Sequence, residues 1–332
     1  MTWLVTGGAG FLGSHLLRRL TAEGIPARSL DLVRADDEPA AVDVVQGDLR
    51  DEGVLRRALG GVDVVVHAAA ALPSGSDLGS TNVVGSGLLA LLAAKTGVKR
   101  SILISSGVVY GLGRAPLSES DEARPIEAYG RSKLRAEHAW LAAAPAPIVL
   151  RPAAFIGPER LGAFGILFRW IQEGRRIYVL GDGSNRYQLL DVEDLVEAVL
   201  LAATSAAEGV VNVGGIVSGT IRDDLEALIA HARTQSRVVG LPARPARAAL
   251  AVLATARLSP LSTWHRRSAD RDFVLDCTRA AHLFGWSPNR SGAEALCAAY
   301  DWYVRDGGTA VVGTTHRSAW RERGLGMLRR FS

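Results

Sequence analysis

Two cysteines stand in a chain of 332 residues, Cys277 and Cys297, with no CxxC spacing and no histidines at metal-ligand distance in the sequence. That leaves nothing from which to build a disulfide framework or a zinc-type site, and it suits a reducing compartment. Lysine is almost as scarce: Lys95, Lys99 and Lys133 are the whole supply, and arginine makes up the rest of the 38 basic residues. A residue type used so sparingly makes each of its positions informative. No apolar run reaches the length of a membrane span. The N-terminus enters a strand-like run directly, without the basic segment, apolar stretch and cleavage site of a secretory leader, so a cytoplasmic protein is expected. A net charge of +4 is small for this length and does not suit a nucleic-acid binder, although it favours anionic ligands. With 48% hydrophobic residues, the chain can build one large domain or two unequal ones.

What the sequence does have starts at once, with TWLVTGGAGFLG over residues 2–13. Trp3-Leu4-Val5 reads as a buried strand, and Gly7, Gly10 and Gly13 form a GxxGxxG turn that leads into a helical pattern over about 11–23. Strand, Gly-rich turn and helix are the parts of a dinucleotide-binding site. The glycines permit a tight turn and a close approach of pyrophosphate, which would sit at the helix N-terminus. Ala27–Val33 reads as a second strand carrying Asp31, which lies 18 residues after Gly13. A carboxylate there accepts ribose hydroxyls and repels a 2′-phosphate, so NAD is favoured over NADP; nearby Arg34 keeps NADP as the second option. Val42–Gln46 is a third strand, followed by GDLRD. Asp48 and Leu49 read as the adenine edge and Asp51 as a helix cap, with capping by the acid pair an equal alternative for Asp48.

Val62–Val66 is an unbroken β-branched run, as expected of a strand covered on both faces. The small residues Ala68 and Ala69 after it would let a ligand pass close to the backbone, and His67 reads as structural rather than catalytic. A helix is expected over about 78–94, with Asn82 able to bond a neighbouring loop, then a strand over Arg100–Ile104 ending in Ser105-Ser106. This alternation implies a parallel sheet flanked by helices. After Pro152 the pattern loosens. Helices are expected at Asp191–Ala203, Thr220–Ala230, Pro242–Ala256, Thr278–Phe284 and Ser291–Val304, with a strand at Val210–Val213. The arginine-rich second half fits either a solvated face or attraction to a substrate phosphate. The tail, 307–332, mixes arginines with Trp320, Leu325 and Phe331, and reads as a docked or disordered segment rather than a membrane anchor.

The stretch that points to chemistry is Tyr129-Gly130-Arg131-Ser132-Lys133. On a helix, positions i and i+4 share a face. An ammonium one turn from a phenol stabilises phenolate and is expected to lower its pKa, which gives a usable acid and base. Ser106 could hydrogen-bond the same substrate hydroxyl.

Taken together, these motifs resemble the extended short-chain dehydrogenases/reductases, in the NAD-dependent epimerase/dehydratase family. The matching stretches are TGGAGFLG (6–13), GDLRD (47–51), HAAA (67–70), SSGVVYG (105–111), YGRSK (129–133) and RPAAFIGP (151–158), with looser matches through about residue 305. The resemblance implies an α/β fold, with a Rossmann-type doubly wound parallel sheet over 1–155 and about 187–215. It also implies a smaller C-terminal α/β substrate-binding subdomain from 156–186 and 216–306. Gly7, Gly10, Phe11, Leu12 and Gly13 would hold the pyrophosphate, Asp31 the ribose, and Asp48 and Leu49 the adenine. Ala68, Ala69, Asn82 and Pro152 would line the cofactor's course, and Tyr129 and Lys133 would also bind the nicotinamide ribose. The family's catalytic Ser/Thr lies four residues before a Tyr-Gly pair, which selects Ser106 over Ser105. Arg186 and Arg267 stand where family members place arginines on a substrate diphosphate. A homodimer through helices 78–94 and 127–143 is the family's habit.

The departures from the family pattern are also informative. Dehydratases of the family carry an acidic pair after the catalytic Ser/Thr, and related decarboxylases a Glu; here those positions are Gly107 and Val108. The Asn that many sugar-nucleotide enzymes place after the strand is Ala154. The expectation is an NAD-dependent epimerase of a nucleotide sugar, acting at carbon four. The alternatives are a net alcohol dehydrogenase or ketone reductase on a sugar, steroid-like or natural-product substrate, and a non-catalytic NAD(P)-binding sensor, against which the Tyr–Lys pair speaks. No metal is needed.

Overall fold

Trp3–Thr6 (β1) carries no alternation of polar and apolar residues because both of its faces are covered. In the computed structural model, which describes residues 1–71, 78–255, 263–307 and 317, β1 leads through the glycine turn into Phe11–Ala22 (α1). Ala27–Asp31 (β2), Asp43–Gln46 (β3), Glu52–Leu59 (α2) and Val64–His67 (β4) follow. A π-helical turn, Ser80–Gly85, runs into Ser86–Lys95 (α3), then Arg100–Ile104 (β5) and a 3₁₀ turn at Gly107–Tyr110. Ala128–Ala143 (α4), Pro147–Pro152 (β6), Ala154–Ile156 (β7), Gly162–Gln172 (α5), Arg176–Leu180 (β8) and Leu189–Asp191 (β9) come next. Val192–Thr204 (α6), Gly209–Val213 (β10), Ile221–Ala232 (α7), Arg237–Leu241 (β11) and Ala243–Thr255 (α8) precede Thr263–Ser268 (α9), Thr278–Phe284 (α10) and Gly292–Arg305 (α11).

Seven strands form one parallel sheet in the order β10-β6-β5-β4-β1-β2-β3. The two-residue period of the strands assigns its faces. Trp3, Val5, Val64, Val66, Ile102 and Ile104 pack against α1 and α6. Leu4, Val65, Leu103 and Val149 face the opposite way, onto α2, α3 and α4. The sheet is therefore doubly wound, and its order reverses between β1 and β4. The crevice beyond the carboxyl ends of these two strands is where such sheets take ligands.

A smaller layer is built from two parallel strand pairs, β8 with β11 and β7 with β9. Its core includes Phe168 of α5, Leu228 of α7, and Leu296 and Tyr300 of α11. Capping boxes start α7 (Thr220 with Asp223) and α11 (Ser291 with Glu294).

Several boundaries differ from the sequence expectation. The second strand stops at Asp31, where Leu32 and Val33 are exposed. The helix expected over 78–94 opens as a π turn that seats Asn82, a side chain only 2% exposed. None of β7, β8, β9 and β11 was expected, nor was α9. Ala256 and the apolar stretch to Leu258 lie outside the described residues, as does the tail apart from Arg317. That residue is 6% exposed and paired with Asp37 (2.6 Å) and Glu159 (2.9 Å). Among the described residues no helix is long and apolar enough to cross a membrane, and no cluster of His, Cys, Asp or Glu could hold a metal ion.

Candidate active site

The glycine turn is as tight as its sequence suggests. A Cβ at Gly13 would come 2.0 Å from the Gly7 carbonyl oxygen, and Gly7, at φ +76, would press one against the Ala69 backbone at 2.7 Å. Side chains cap α2 (Asp51), α6 (Asp191), α7 and α11, whereas α1, like α4, α5 and α10, starts with no side-chain cap and no acidic residue in its first turn. The first-turn amides at Phe11, Leu12 and Gly13 thus lie in the positive end of a helix dipole with no anion of the chain's own. Asp31 closes the turn from the side: its carboxylate accepts from Ala9 N at 3.1 Å and from Val33 N at 3.4 Å. Burial pushes its pKa up, against the pull of those backbone bonds.

Across the crevice, Ala68 N donates to Thr6 O (3.2 Å) and Ala69 N to Thr6 Oγ1 (3.3 Å), which ties the end of β4 to β1. Asn82 accepts from Ala71 N (2.7 Å) and donates to Ala71 O (3.2 Å) and to Ser132 Oγ (3.0 Å), so it joins this loop to α4. Asp48 is clamped by Arg50, which lowers its pKa, while Asp51 caps α2. Leu49 is buried in the core beneath and meets Gly85 of the π turn. His67 is structural. Its Nδ1 lies 2.7 Å from Thr6 Oγ1 and its Nε2 2.8 Å from Ser86 Oγ, and the ring stacks on Trp140. Ser86 spends its proton on Asn82 O, so Nε2 carries the ring hydrogen. Desolvation, helped by Lys133, pushes His67 down to about 3 and keeps it neutral.

Helix α4 presents Tyr129, Lys133 and Glu137 at successive four-residue steps. Lys133, 4% exposed, donates to Ile104 O at 2.7 Å, at the end of β5. Burial pushes it down to about 8, with Glu137 opposing the shift. Tyr129 retains some surface, but its phenol is desolvated and pushed up to about 12; the Arg160 cation works against that shift and Glu127 with it. The expected lowering of the phenol pKa by lysine is therefore not seen in this structure. The ammonium is turned to the strand end, and desolvation outweighs the cation.

The two serines separate cleanly. Ser105 Oγ donates to Glu137, which also binds Arg151 through Nε (3.0 Å) and Nη2 (2.6 Å). Arg151 lies over the Tyr110 ring, whose hydroxyl donates to Asn212 Oδ1 at 2.8 Å. Among the described residues Ser106 Oγ only accepts a long bond from Val108 N (3.4 Å), which leaves its hydroxyl proton for another partner. Next to it, a Cβ on Gly107 would meet Phe273 at 3.0 Å and Leu275 at 3.2 Å, so this wall is apolar.

Pro152 ends β6, buried beside Val213 of β10, and Ala154 opens β7. Arg186 is half exposed and bonded through Nε (3.1 Å) and Nη2 (2.7 Å) to Asp272; Arg267 is exposed on α9. Neither is brought to the Tyr129 helix by any bond described. Two residues of the site were missed from sequence. Glu137 could have been found by extending the four-residue step from Lys133. Arg160, whose field reaches Tyr129, Tyr187 and His265, follows a Gly-Pro break where no periodicity operates.

The sequence profile of the NAD-dependent epimerase/dehydratase family matches residues 3–214. An uncharacterized protein of Sinorhizobium fredii, y4nG, is 30% identical over 337 residues, taking in 98% of this chain and 85% of the relative. The dTDP-6-deoxy-L-talose 4-dehydrogenase (NAD(P)(+)) of Kitasatospora kifunensis is 31% identical over 318 residues, 88% of this chain and 92% of that one. Among solved structures, the UDP-glucuronic acid 4-epimerase of Bacillus cereus in complex with NAD superimposes with a TM-score of 0.75 at 22% identity, covering 92% of this chain and 99% of that one. At that identity the likeness is one of fold.

Proposed function

Because the chain belongs to the NAD-dependent epimerase/dehydratase family, we propose that it is an NAD-dependent epimerase of a nucleotide sugar, acting at carbon four. The residues present fit the cofactor: the glycine cradle would be filled by any Cβ, α1 is uncapped, and Asp31 stands at the ribose end. Gly7, Gly10, Phe11, Leu12 and Gly13 would hold the pyrophosphate, and Tyr129 and Lys133 the nicotinamide ribose. When bound, NAD takes up a hydride from a carbinol carbon and can return it to the other face of the resulting ketone.

The chain's own part is to bind, orient and move one proton. Ser106 orients the substrate hydroxyl. Tyr129 takes its proton as hydride leaves and gives it back afterwards. A phenol held near 12 is a poor base in isolation, so the reading requires added positive charge near it when the cofactor is in place. Lys133 would supply part of that charge on turning from Ile104 O toward the phenol.

The observation that carries this reading is the wall beside Ser106. Gly107 backs onto Phe273 and Leu275, so the atoms nearest that position are apolar and not those of a carboxyl group that could help remove water. Oxidation and reduction need only the Ser–Tyr–Lys set. Purified protein given UDP- and dTDP-hexoses should interconvert carbon-four epimers without net NADH. Tyr129→Phe should lower kcat by about 10²–10⁴-fold with the melting temperature kept; unchanged turnover would refute the role.

The Kitasatospora relative is named as a 4-dehydrogenase, which favours one second reading, net oxidation or reduction of a sugar. Stoichiometric NADH release would select it. Arg186 and Arg267 are proposed for the substrate diphosphate, which for Arg186 requires release from Asp272. A homodimer is supported by exposed apolar residues on the helices expected to meet: Val84 (60% exposed), Leu91 and Leu141. Two cysteines without a disulfide suit a cytoplasmic setting.

A further inference from the structure

Arg160 belongs to none of the motifs above. It follows Gly157-Pro158, and its backbone N–H bonds to Gly157 O at 3.2 Å. Its guanidinium carbon lies 5.2 Å from the centroid of the Phe11 ring and 4.9 Å from that of Phe155. Those two rings are themselves stacked, 5.7 Å apart and 9° from parallel. Cation–π attraction to both rings holds the cation in place. Phe11 is the first residue of α1, so the guanidinium lies against the side chain that opens that helix.

The neighbouring cations have their charges matched. Glu159 and Asp37 between them take Arg18 and Arg317. Arg160 has no carboxylate among the described residues, and its Nη1 is buried without a hydrogen-bond partner among them. Arg160 keeps some surface, but a buried guanidinium nitrogen with neither counter-ion nor acceptor is costly; desolvation pushes the pKa down to about 10. The first-turn amides of α1 have the complementary deficit, being donors without a cap or an acid. Both deficits are met by one oxyanion lying between them.

We infer that Arg160 forms the second wall of the cofactor's pyrophosphate site, its guanidinium and the amides at the head of α1 gripping the same phosphate oxygens from two sides. The inference rests on NAD binding by this family and not on the epimerase reading. An incorrect substrate assignment would leave the titrations below unaffected. A guanidinium suits the position because it stacks on rings through its faces and donates through its edge.

The test is calorimetric titration of nucleotide-stripped protein with NAD, ADP-ribose, adenosine and UDP. Arg160→Gln should weaken NAD and ADP-ribose by about tenfold or more, the loss expected for a charge-assisted bond. It should leave adenosine unchanged and flatten the salt dependence of NAD binding. Arg160→Lys, which keeps the charge without the planar guanidinium, should fall between. NAD and ADP-ribose binding Arg160→Gln as tightly as the parent overturns the proposal. Loss of UDP affinity alone also overturns it, by assigning the guanidinium to a substrate phosphate. If the Gln variant melts far below the parent, the Lys variant decides: an unchanged ratio of ADP-ribose to adenosine affinity overturns the proposal, and a reduced ratio supports it.

Discussion

Replacing Lys133 with Met should abolish catalysis and yet stabilise the nucleotide-free protein at neutral pH. The lysine is 4% exposed, and burial moves its pKa from 10.5 to about 8. At about 1.36 kcal/mol per unit, keeping it charged costs the fold about 3 kcal/mol. Methionine fills a similar volume and removes that penalty, but it gives up the charge-assisted bond to Ile104 O, worth about 1.5–3 kcal/mol. A net gain of up to about 1.5 kcal/mol remains. Its pH dependence has a definite sign. The unfolded chain holds the lysine proton up to its ordinary pKa of 10.5, and the native chain releases it near 8. Between these values the unfolded state binds more protons, so the parent gains stability as pH rises. The variant has no such proton, and its advantage, full below pH 8, fades toward pH 10.5. Urea unfolding of both proteins at pH 7 and at pH 10, with m-values compared, reads this directly. A variant less stable than the parent at pH 7, or a difference equal at both pH values, would refute the reasoning.

Two further outcomes follow from the same geometry. Glu137→Gln leaves Arg151 charged and buried (the pair is 1% and 7% exposed), so urea unfolding should give a loss of about 3–5 kcal/mol; Glu137→Gln with Arg151→Met should recover much of it, and a loss from the single variant below about 1 kcal/mol would contradict the assignment. Gly13→Ala sets a methyl group 2.0 Å from Gly7 O, against backbone that cannot swing aside; stability should fall by about 1–3 kcal/mol, and NAD should no longer raise the melting temperature.

The parts of the fold that were legible in the sequence are those where one physical requirement dominates. β1 and α1 were readable because an apolar run, three glycines and a helical period leave one arrangement. α7 and α11 were readable from their periodic apolar faces, which their caps reinforce. The small strand pairs were not. β7 and β9 have three residues each, too few for a period, and β8 and β11 pair across 56 residues of intervening chain with Ile177 their one fully buried side chain. The π turn was hidden because a widened turn keeps an apolar composition and changes only the phase. In the site, the four-residue step gave Tyr129 and Lys133 their shared face but could not tell that the ammonium would turn to a strand carbonyl. That choice depends on β5 ending beside α4, a long-range fact.

The first strand in this sequence lies inside the sheet, next to its central strand β4. β1 pairs with β2 across about two dozen residues, but its other edge waits for β4, with Trp3 opposite Val64. The nucleotide crevice therefore cannot take shape until β4 has joined, and β1 carries an open apolar edge until then. The same placement governs what the terminus tolerates. Met1 is 70% exposed, so residues added ahead of it extend into solvent. Thr2 N is already bonded to Asp63 at 2.9 Å, so deleting residues 1–6 would part β2 and β3 from the rest of the sheet.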